Sequence, residues 1–428
     1  MIDVNSNQRR ISACFCAALH REKERTSMNN IKRQIRLLYM YEALCSFRMV
    51  DVVWVIFLLG RGFSLAQVGL AEGVFHVTSM IFEIPSGMAA DLFGRKRTLL
   101  LSGIAGMCSG VFMALDGWSG WIYMGMIFSA LSSNLTSGTE EALAYDSLLE
   151  AGCAETYKGV RSKMSVTGRV FSALSCTLSP VAIALGYQYT YFLAVLLNLC
   201  AFLCVMGMQE PHVTQEQKQR GRHGFREMGV RLKHHVLDTL HFMRKHPGTM
   251  GKLFADAAVA CPCYLTMMYL QEHLVNCGWP EKWIGMPLLL IPLAGAAGAR
   301  LAAKSKMRLL YVLILCGLLG GAGTYLTGSR TIVIILAGAC VMRACEGFSE
   351  VAVSENVNRE FSSDQRATLI SVDSMLYSVL MVLASPVTGY LGERYSVTVT
   401  FHVLGGVLMC AALLLGAAYA IRRSKICS

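Results

Sequence analysis

Two charged side chains, Arg48 and Asp51, stand three residues apart inside an otherwise apolar run, FRMVDVVWVIFLL. On a helix that spacing puts both on one face. In a segment apolar enough to cross a membrane, an ionised group costs ~2.5–3.5 kcal/mol on insertion scales. Such a pair either neutralises itself as an internal ion pair or lines a watered cavity, where it can bind a solute or exchange a proton. Both readings stay open. The next apolar run carries Glu72, His76, Ser79 and Glu83 at steps of four, three and four. This is one polar stripe, and it must face protein or water. His76 can titrate near neutral pH or act as a hydrogen-bonded packing residue. Glu72 reads as a solvated group near the outer surface, and Glu83, just before Pro85, as a capping or pairing group. Asp256, Arg343, Glu346, Glu350 and Asp373 are further ionisable residues in apolar surroundings, with Arg343 and Glu346 again at i, i+3. A proton-coupling carboxyl needs burial to favour its neutral form and a nearby cation to favour its charged one. Asp51 beside Arg48 is the first candidate, Asp256 and Asp373 the second. Tyr39, Tyr41, Trp54, Tyr264, Tyr269 and Tyr377 are candidates to shape a cavity, or else packing and interface residues.

The elements that must position these groups are membrane helices. The chain has 428 residues, 54% of them hydrophobic and only 16% charged, against about 25% charged in soluble domains. Its mean hydropathy is +0.46, and no soluble-looking stretch of domain size exists. Segments near 37–60, 65–88, 97–115, 119–143, 167–186, 189–208, 250–272, 283–303, 309–328, 331–352, 367–391 and 397–421 are long enough to cross a bilayer, which takes roughly 20 residues. Placing the N-terminus inside leaves Arg61, Lys282, Arg330 and Arg394 in outer loops and Arg48, Arg169 and Arg343 within spans. The other 32 of the 39 Lys and Arg residues are then cytoplasmic, as cationic loops are. Both termini are therefore expected in the cytosol, in a cytoplasmic (inner) membrane. The net charge of +11 reads as a topology signal, with the lipid bilayer as partner and no nucleic acid.

The expected organisation is a cytoplasmic tail (1–36, of which 1–27 reads as an over-called start or a disordered stretch), a first six-helix bundle (37–209), a linker (210–249), a second bundle (250–421) and a short tail (422–428). No secretory signal is visible. In the linker Phe225, Met228, Leu232, Val236, Leu240 and Met243 recur at helical spacing among cations. They suggest an amphipathic helix on the inner leaflet, with a solvated linker as the alternative. The 16 cysteines are scattered through apolar runs, and Cys261 and Cys263 lack a second pair at zinc spacing. No metal site is expected.

The two halves echo each other. SPVAIALG (179–186) matches SPVTGYLG (385–392), and GTEEALAYD (138–146) matches GFSEVAVSE (347–355). Glu141 thereby aligns with Glu350, and Asp146 with Glu355. GMAADLFGRKR (87–97) has a decayed echo in GARLAAKSKMR (298–308), where Gly298 aligns with Gly87 but Ala302 replaces Asp91. Three echoes in order and at nearly one offset point to a six-plus-six duplication.

The stretch E-x-P-x-G-x-x-A-D-x-x-G-R-K, made by Glu83, Pro85, Gly87, Ala90, Asp91, Gly94, Arg95 and Lys96, resembles the loop motif of the major facilitator superfamily. SGTEEALAYDSL and RATLISVDSM also look like bacterial members, and the likeness covers roughly 37–421. It implies an all-α membrane fold of twelve transmembrane helices in two pseudo-symmetric six-helix bundles. It also implies that the motif sits in the cytoplasmic loop between the second and third spans, where the charge distribution independently puts it. Gly87 is expected to permit close helix approach and Gly94 a tight turn. By the resemblance, Asp91 and Arg95 form a charge latch to the facing half, near the start of the eleventh span, that holds the cytoplasmic side shut. Lys96, Glu141, Asp146, Glu350, Glu355 and Arg366 are further gating candidates, and Arg48, Asp51, His76, Asp256, Arg343, Glu346 and Asp373 are candidates for the substrate or proton site. The alternative for Arg95, Lys96 and Arg97 is a pure topology anchor.

The chain departs from some patterns of the superfamily. SCTLSPV (175–181) lacks the glycines of the fifth-span pattern of drug/proton antiporters, SALSSNLTSG (129–138) has no arginine, and sugar-porter signatures are missing. No G-x-x-x-x-G-K-[ST], H-E-x-x-H or G-x-S-x-G occurs, which removes the usual signatures of ATP-driven and hydrolytic chemistry. The resemblance implies a secondary transporter of a small organic solute, not an enzyme, acting as a monomer without cofactors. Protons are the expected coupling ion and export the favoured direction. An uptake symporter, or a non-transporting scaffold or sensor, is the alternative.

Overall fold

Long apolar runs punctuated by glycine, proline and capping residues fold here into helices that stack side by side. The computed structural model describes residues 29–211, 237, 239, 241–361 and 363–427, without the side chains of 52, 179, 358, 363–368 and 422–427. The tail before residue 29 and most of the expected surface helix in 210–249 lie outside the described residues, as does the side chain of Arg366. The helices are α1 (29–46), α2 (Trp54–Gly60), α3 (Leu65–Phe93), α4 (Arg95–Ala114), α5 (Gly120–Thr136), α6 (Thr139–Glu150), α7 (Tyr157–Thr177), α8 (Ser179–Leu185), α9 (Tyr187–Met206), α10 (Pro247–Asn276), α11 (Gly285–Ala302), α12 (Leu309–Thr327), α13 (Ile332–Glu360), α14 (Ser363–Arg394) and α15 (Val397–Cys427).

Among the described residues ten helices are long and apolar enough to cross a membrane, counting 29–60 as one. The other two expected spans, 119–143 and 167–186, are helical but interrupted. One breaks between α5 and α6 at Gly138, whose φ of 69° few other residues adopt. The other breaks between α7 and α8 at Leu178, just before Pro180, whose ring clashes with a preceding helical turn. Its echo Pro386 sits inside α14, which stays continuous.

The packing repeats between the halves. In the first, α4 packs on α5 and α9, and α3 on α5; in the second, α12 packs on α13 and α15, and α11 on α13. The halves meet mainly through α3 against α14, with α7 against α11 and α2 against α10.

The cores are shared at one end of the molecule and separate at the other. At the end away from the basic loops, Val55, Phe57 and Val68 share a buried cluster with Leu265, Tyr269 and Phe401, and Val53 and Ile56 share one with Leu270, Leu274 and Ile284. At the basic end, Leu38, Leu99, Leu143 and Met164 cluster within the first half, and Phe242, Leu253, Leu313 and Val353 within the second.

Small residues set the closest approaches. A Cβ on Gly69 would lie 2.3 Å from the Ser385 carbonyl oxygen, and one on Gly298 would lie 1.9 Å from that of Ala344. The close approach expected at Gly87 is not made: a Cβ there meets nothing within 4 Å among the described residues, and its echo Gly298 carries the tight contact instead. Gly298→Val should therefore destabilise the second half by about 1–3 kcal/mol through overpacking. Gly87→Ala should stay within about 0.5 kcal/mol of wild type. Thermal unfolding in detergent micelles measures both.

Candidate functional site

The first span breaks where its charges lie. Helix α1 ends at residue 46, Met49–Val52 form a single 3-10 turn, and α2 begins at Trp54. Arg48 (φ −112°, ψ 77°) and Val53 (φ −131°, ψ 1°) leave the helical region. Valines at 50, 52, 53 and 55 resist the helical backbone only mildly, whereas the two charges gain from reaching water. Arg48 Nε lies 3.1 Å from Asp51 Oδ2, and both side chains remain more than half exposed, at 58% and 53%. Non-helical backbone at membrane depth is tolerated only where it is buried in protein or lines a watered cavity, and broken helices of this kind commonly bind solutes in transporters.

Such a cavity is present, with a volume of about 910 Å³. Arg48, Asp51, Trp54, Glu72, Tyr264 and Gln271 line it toward the outer end, and Glu42 and Glu140 toward the basic end. A serine-rich wall from α4 and α5 is internally bonded: Ser102 Oγ donates to the Ser132 carbonyl at 2.9 Å. The outer end is closed by bonds between the halves. Gln271 Nε2 donates to the Asp51 carbonyl (3.2 Å), Tyr269 to that of Leu65 (3.3 Å) and Ser385 to that of Gly69 (2.8 Å). The Ala66 N–H donates to Glu393 (3.2 Å), and Tyr187 donates to Glu281.

Of the sequence candidates, Arg48 and Asp51 line the cavity; His76, Asp256, Arg343, Glu346 and Asp373 do not. His76 is buried, with Nε2 3.3 Å from Glu72 Oε1 and its ring edge-on to Tyr377. Glu72 differs from the sequence expectation, being 2% exposed and not solvated at the surface. Arg343 pairs with Glu346, which also accepts from the Cys263 thiol at 3.3 Å. Asp256 accepts from Ser349 and lies beside Glu350 and Asp373. These groups face neighbouring helices of the second half.

The loop-motif residues form a network inside the first half. Gly94 (φ 104°) ends α3 and opens α4. Arg95 lies 3.1 Å from Asp91 and 3.7 Å from Asp146. Glu210 accepts from the backbone N–H groups of Arg95 (2.8 Å) and Lys96 (2.7 Å), so its carboxylate caps the positive end of α4. A Cβ on residue 94 would lie 2.7 Å from that carboxylate, so Gly94 is needed both for its backbone angle and for this approach. Lys96 Nζ donates to the carbonyls of Met206 (2.9 Å) and Met208 (2.7 Å). Glu141 pairs with Arg161, and its echo Glu350 is exposed. Glu355, the echo of Asp146, pairs with Arg359 at 2.6 Å.

Sequence reasoning missed Glu210 and Gln271, and it singled out Glu141 where its neighbour Glu140 lines the cavity. The acid in GMQEP, just after the sixth apolar run, was the available signal for Glu210. Nothing in the sequence distinguished Glu140 from Glu141 or picked out Gln271.

The family model described as Major Facilitator Superfamily matches residues 43–354. The chain belongs to the Major Facilitator Superfamily. Among relatives of this superfamily member, the uncharacterized MFS-type transporter YxaM of Bacillus subtilis (strain 168) is 20% identical over 390 residues, covering 88% of this chain and 94% of its own. The inner membrane transport protein YajR of Escherichia coli (strain K12) is 22% identical over 342 residues, covering 78% and 70%. The nucleoside transporter NupG superposes with a TM-score of 0.71 at 13% identity, covering 91% of this chain and 99% of its own. The partially occluded, inward-open xylose transporter XylE of E. coli superposes with a TM-score of 0.64 at 13% identity, with the same coverage. These superpositions speak for the superfamily fold. The protein is thus a multi-pass membrane transporter of this superfamily.

Removing the Glu210 carboxylate leaves the first N–H groups of α4 without their cap. Glu210→Ala should lower stability by about 0.5–2 kcal/mol, read as a drop in the thermal midpoint. Glu210→Asp should be intermediate.

Proposed function

We propose that the protein is a proton-coupled secondary transporter that carries a small organic solute by alternating access. The observation that carries this reading is the broken first span, whose Arg48–Asp51 pair faces a cavity between two halves. Asp51 is the proposed coupling carboxyl, held near Arg48 so that its charge depends on what occupies the cavity. Arg48 holds the charged form of Asp51 through their ion pair. His76, Asp256, Arg343, Glu346 and Asp373 are proposed to act indirectly, through helix packing and charge balance.

On the positive-inside reading, the basic end is cytoplasmic and the conformation is inward-facing in an inner membrane, with both termini in the cytosol. The cluster of Asp91, Arg95 and Asp146 then belongs to the gate. When the cytoplasmic side closes, it would meet the start of α14, where Arg366 is the proposed partner; Glu141, Glu350 and Glu355 adjust the same rim. Export is the proposed direction, supported by the resemblance of SGTEEALAYDSL and RATLISVDSM to bacterial efflux-type members. One chain holds both bundles, which supports a monomeric working unit.

Inverted membrane vesicles carrying the full chain test this reading. A proton gradient is imposed and followed by acridine-orange fluorescence while nucleosides, sugars, dipeptides and amines are added in turn. At least one class should dissipate the gradient through wild type, and Asp51→Asn should lower that rate tenfold or more at unchanged protein level. Equal rates in the two proteins, or no response to any class, would contradict it. Dissipation confined to right-side-out vesicles would replace export with uptake.

A further inference from the structure

The cavity wall carries a surplus of acceptors that the Arg48–Asp51 pair does not absorb. Among the described residues four carboxyl groups line it, those of Glu42, Asp51, Glu72 and Glu140, against one guanidinium, that of Arg48. Arg48 is matched by Asp51. Glu42 accepts from the Ser46 hydroxyl at 3.3 Å and shares a hydrogen bond with Glu140, with Arg161 near both. These two carboxyls therefore hold one proton between them, and the surplus rests mainly on Glu72 and on the charge they retain. Glu72 has His76 3.3 Å away, but it still presents to the cavity.

A second observation is independent of the charges. Gln271 lines the cavity and is 4% exposed. Its Nε2 donates to the Asp51 carbonyl at 3.2 Å, while its Oε1 has no hydrogen-bond partner among the described residues. A buried amide oxygen without a donor is destabilising, and a ligand that brings an N–H into the cavity would relieve it. The site of that missing donor is next to Asp51. Aromatic side chains frame the same region: Trp54, Phe75 and Tyr264 line the wall, and aromatic faces attract cations.

We infer that the cavity takes an organic cation, a protonated amine carried on an aromatic or apolar body. This deepens the transport reading and rests on it. The ammonium sits among Gln271 Oε1, Asp51 and Glu72, and its body lies against Trp54, Phe75 and Tyr264. Glu42 and Glu140, toward the basic end, attract the cation into the mouth. An anion would add to the surplus of negative charge, and a neutral solute would leave that surplus unmatched.

The test uses the full chain in lipid nanodiscs and three skeletons (phenethyl, indolylethyl and naphthylmethyl), each as ammonium, alcohol and carboxylate. Binding is measured by equilibrium dialysis. The ammonium members should bind at least tenfold more tightly than their alcohol and carboxylate counterparts. Glu140→Gln should weaken them threefold or more without lowering the thermal midpoint. Gln271→Leu should weaken them by at least as much with a lowered midpoint, because it also loses the bond to the Asp51 carbonyl. Equal or tighter binding of the alcohols or carboxylates overturns the proposal, as does an absence of ammonium binding up to millimolar concentration. Flux of the same compounds in proteoliposomes separates the two readings. If wild type carries the alcohols or carboxylates but not the amines, transport stands and cation selectivity falls. If the amines bind but none is carried, the transport reading is what fails.

Discussion

A peptide group or an ionised side chain without a partner cannot rest in hydrocarbon, where each costs several kcal/mol. The break between α1 and α2 concentrates both liabilities, because unwound backbone and a charged pair occur together at Arg48–Val53. The rest of the bundle answers that demand. A cavity lies against the break, a serine-rich wall faces it, and the Asp51 carbonyl receives the Gln271 amide from the opposite half. The bond that shuts the outer end therefore also stabilises the broken segment, which ties the condition of the site to the relative position of the halves.

The asymmetry of the seam follows from residue size. Gly69 and Gly389 let backbones touch at the outer end, and Ser385 uses that proximity to reach the Gly69 carbonyl at 2.8 Å. At the basic end each half has its own core and its own ion pairs, such as Arg95 with Asp91 and Lys252 with Glu360. Two compact bodies joined at one end and separate at the other form an arrangement that can rock, since packed cores shift between discrete positions and do not deform continuously.

Much of the fold was legible because bilayer thickness dictates span length. The repeat was legible from SPVAIALG and SPVTGYLG, and the loop motif from Gly94, Arg95 and Lys96. The outcome at Arg48 and Asp51 was half legible: the spacing put them on one face but could not choose between self-neutralisation and a cavity wall. Glu72 was misread because its exposure depends on helices distant in sequence, namely α10 with Tyr264 and α14 with Tyr377 beside His76. Gln271 was invisible for the same reason, and Glu210 left only the acid in GMQEP as a signal, since each acts on a backbone group more than a hundred residues away. The interruptions at Gly138 and Leu178 were lost because apolar length alone does not report continuity.

Relative motion of the halves is the central claim, and distances across the two ends measure it most directly. Spin labels at Trp118 and Tyr395 report the outer end, and labels at Lys158 and Lys304 the basic end, all exposed positions. Pulsed electron paramagnetic resonance would be recorded in lipid nanodiscs at low and high pH, on a background freed of native cysteines. Alternating access predicts two distances at each end, with populations that change in opposite directions as pH changes. A single, pH-independent distance at both ends would contradict it.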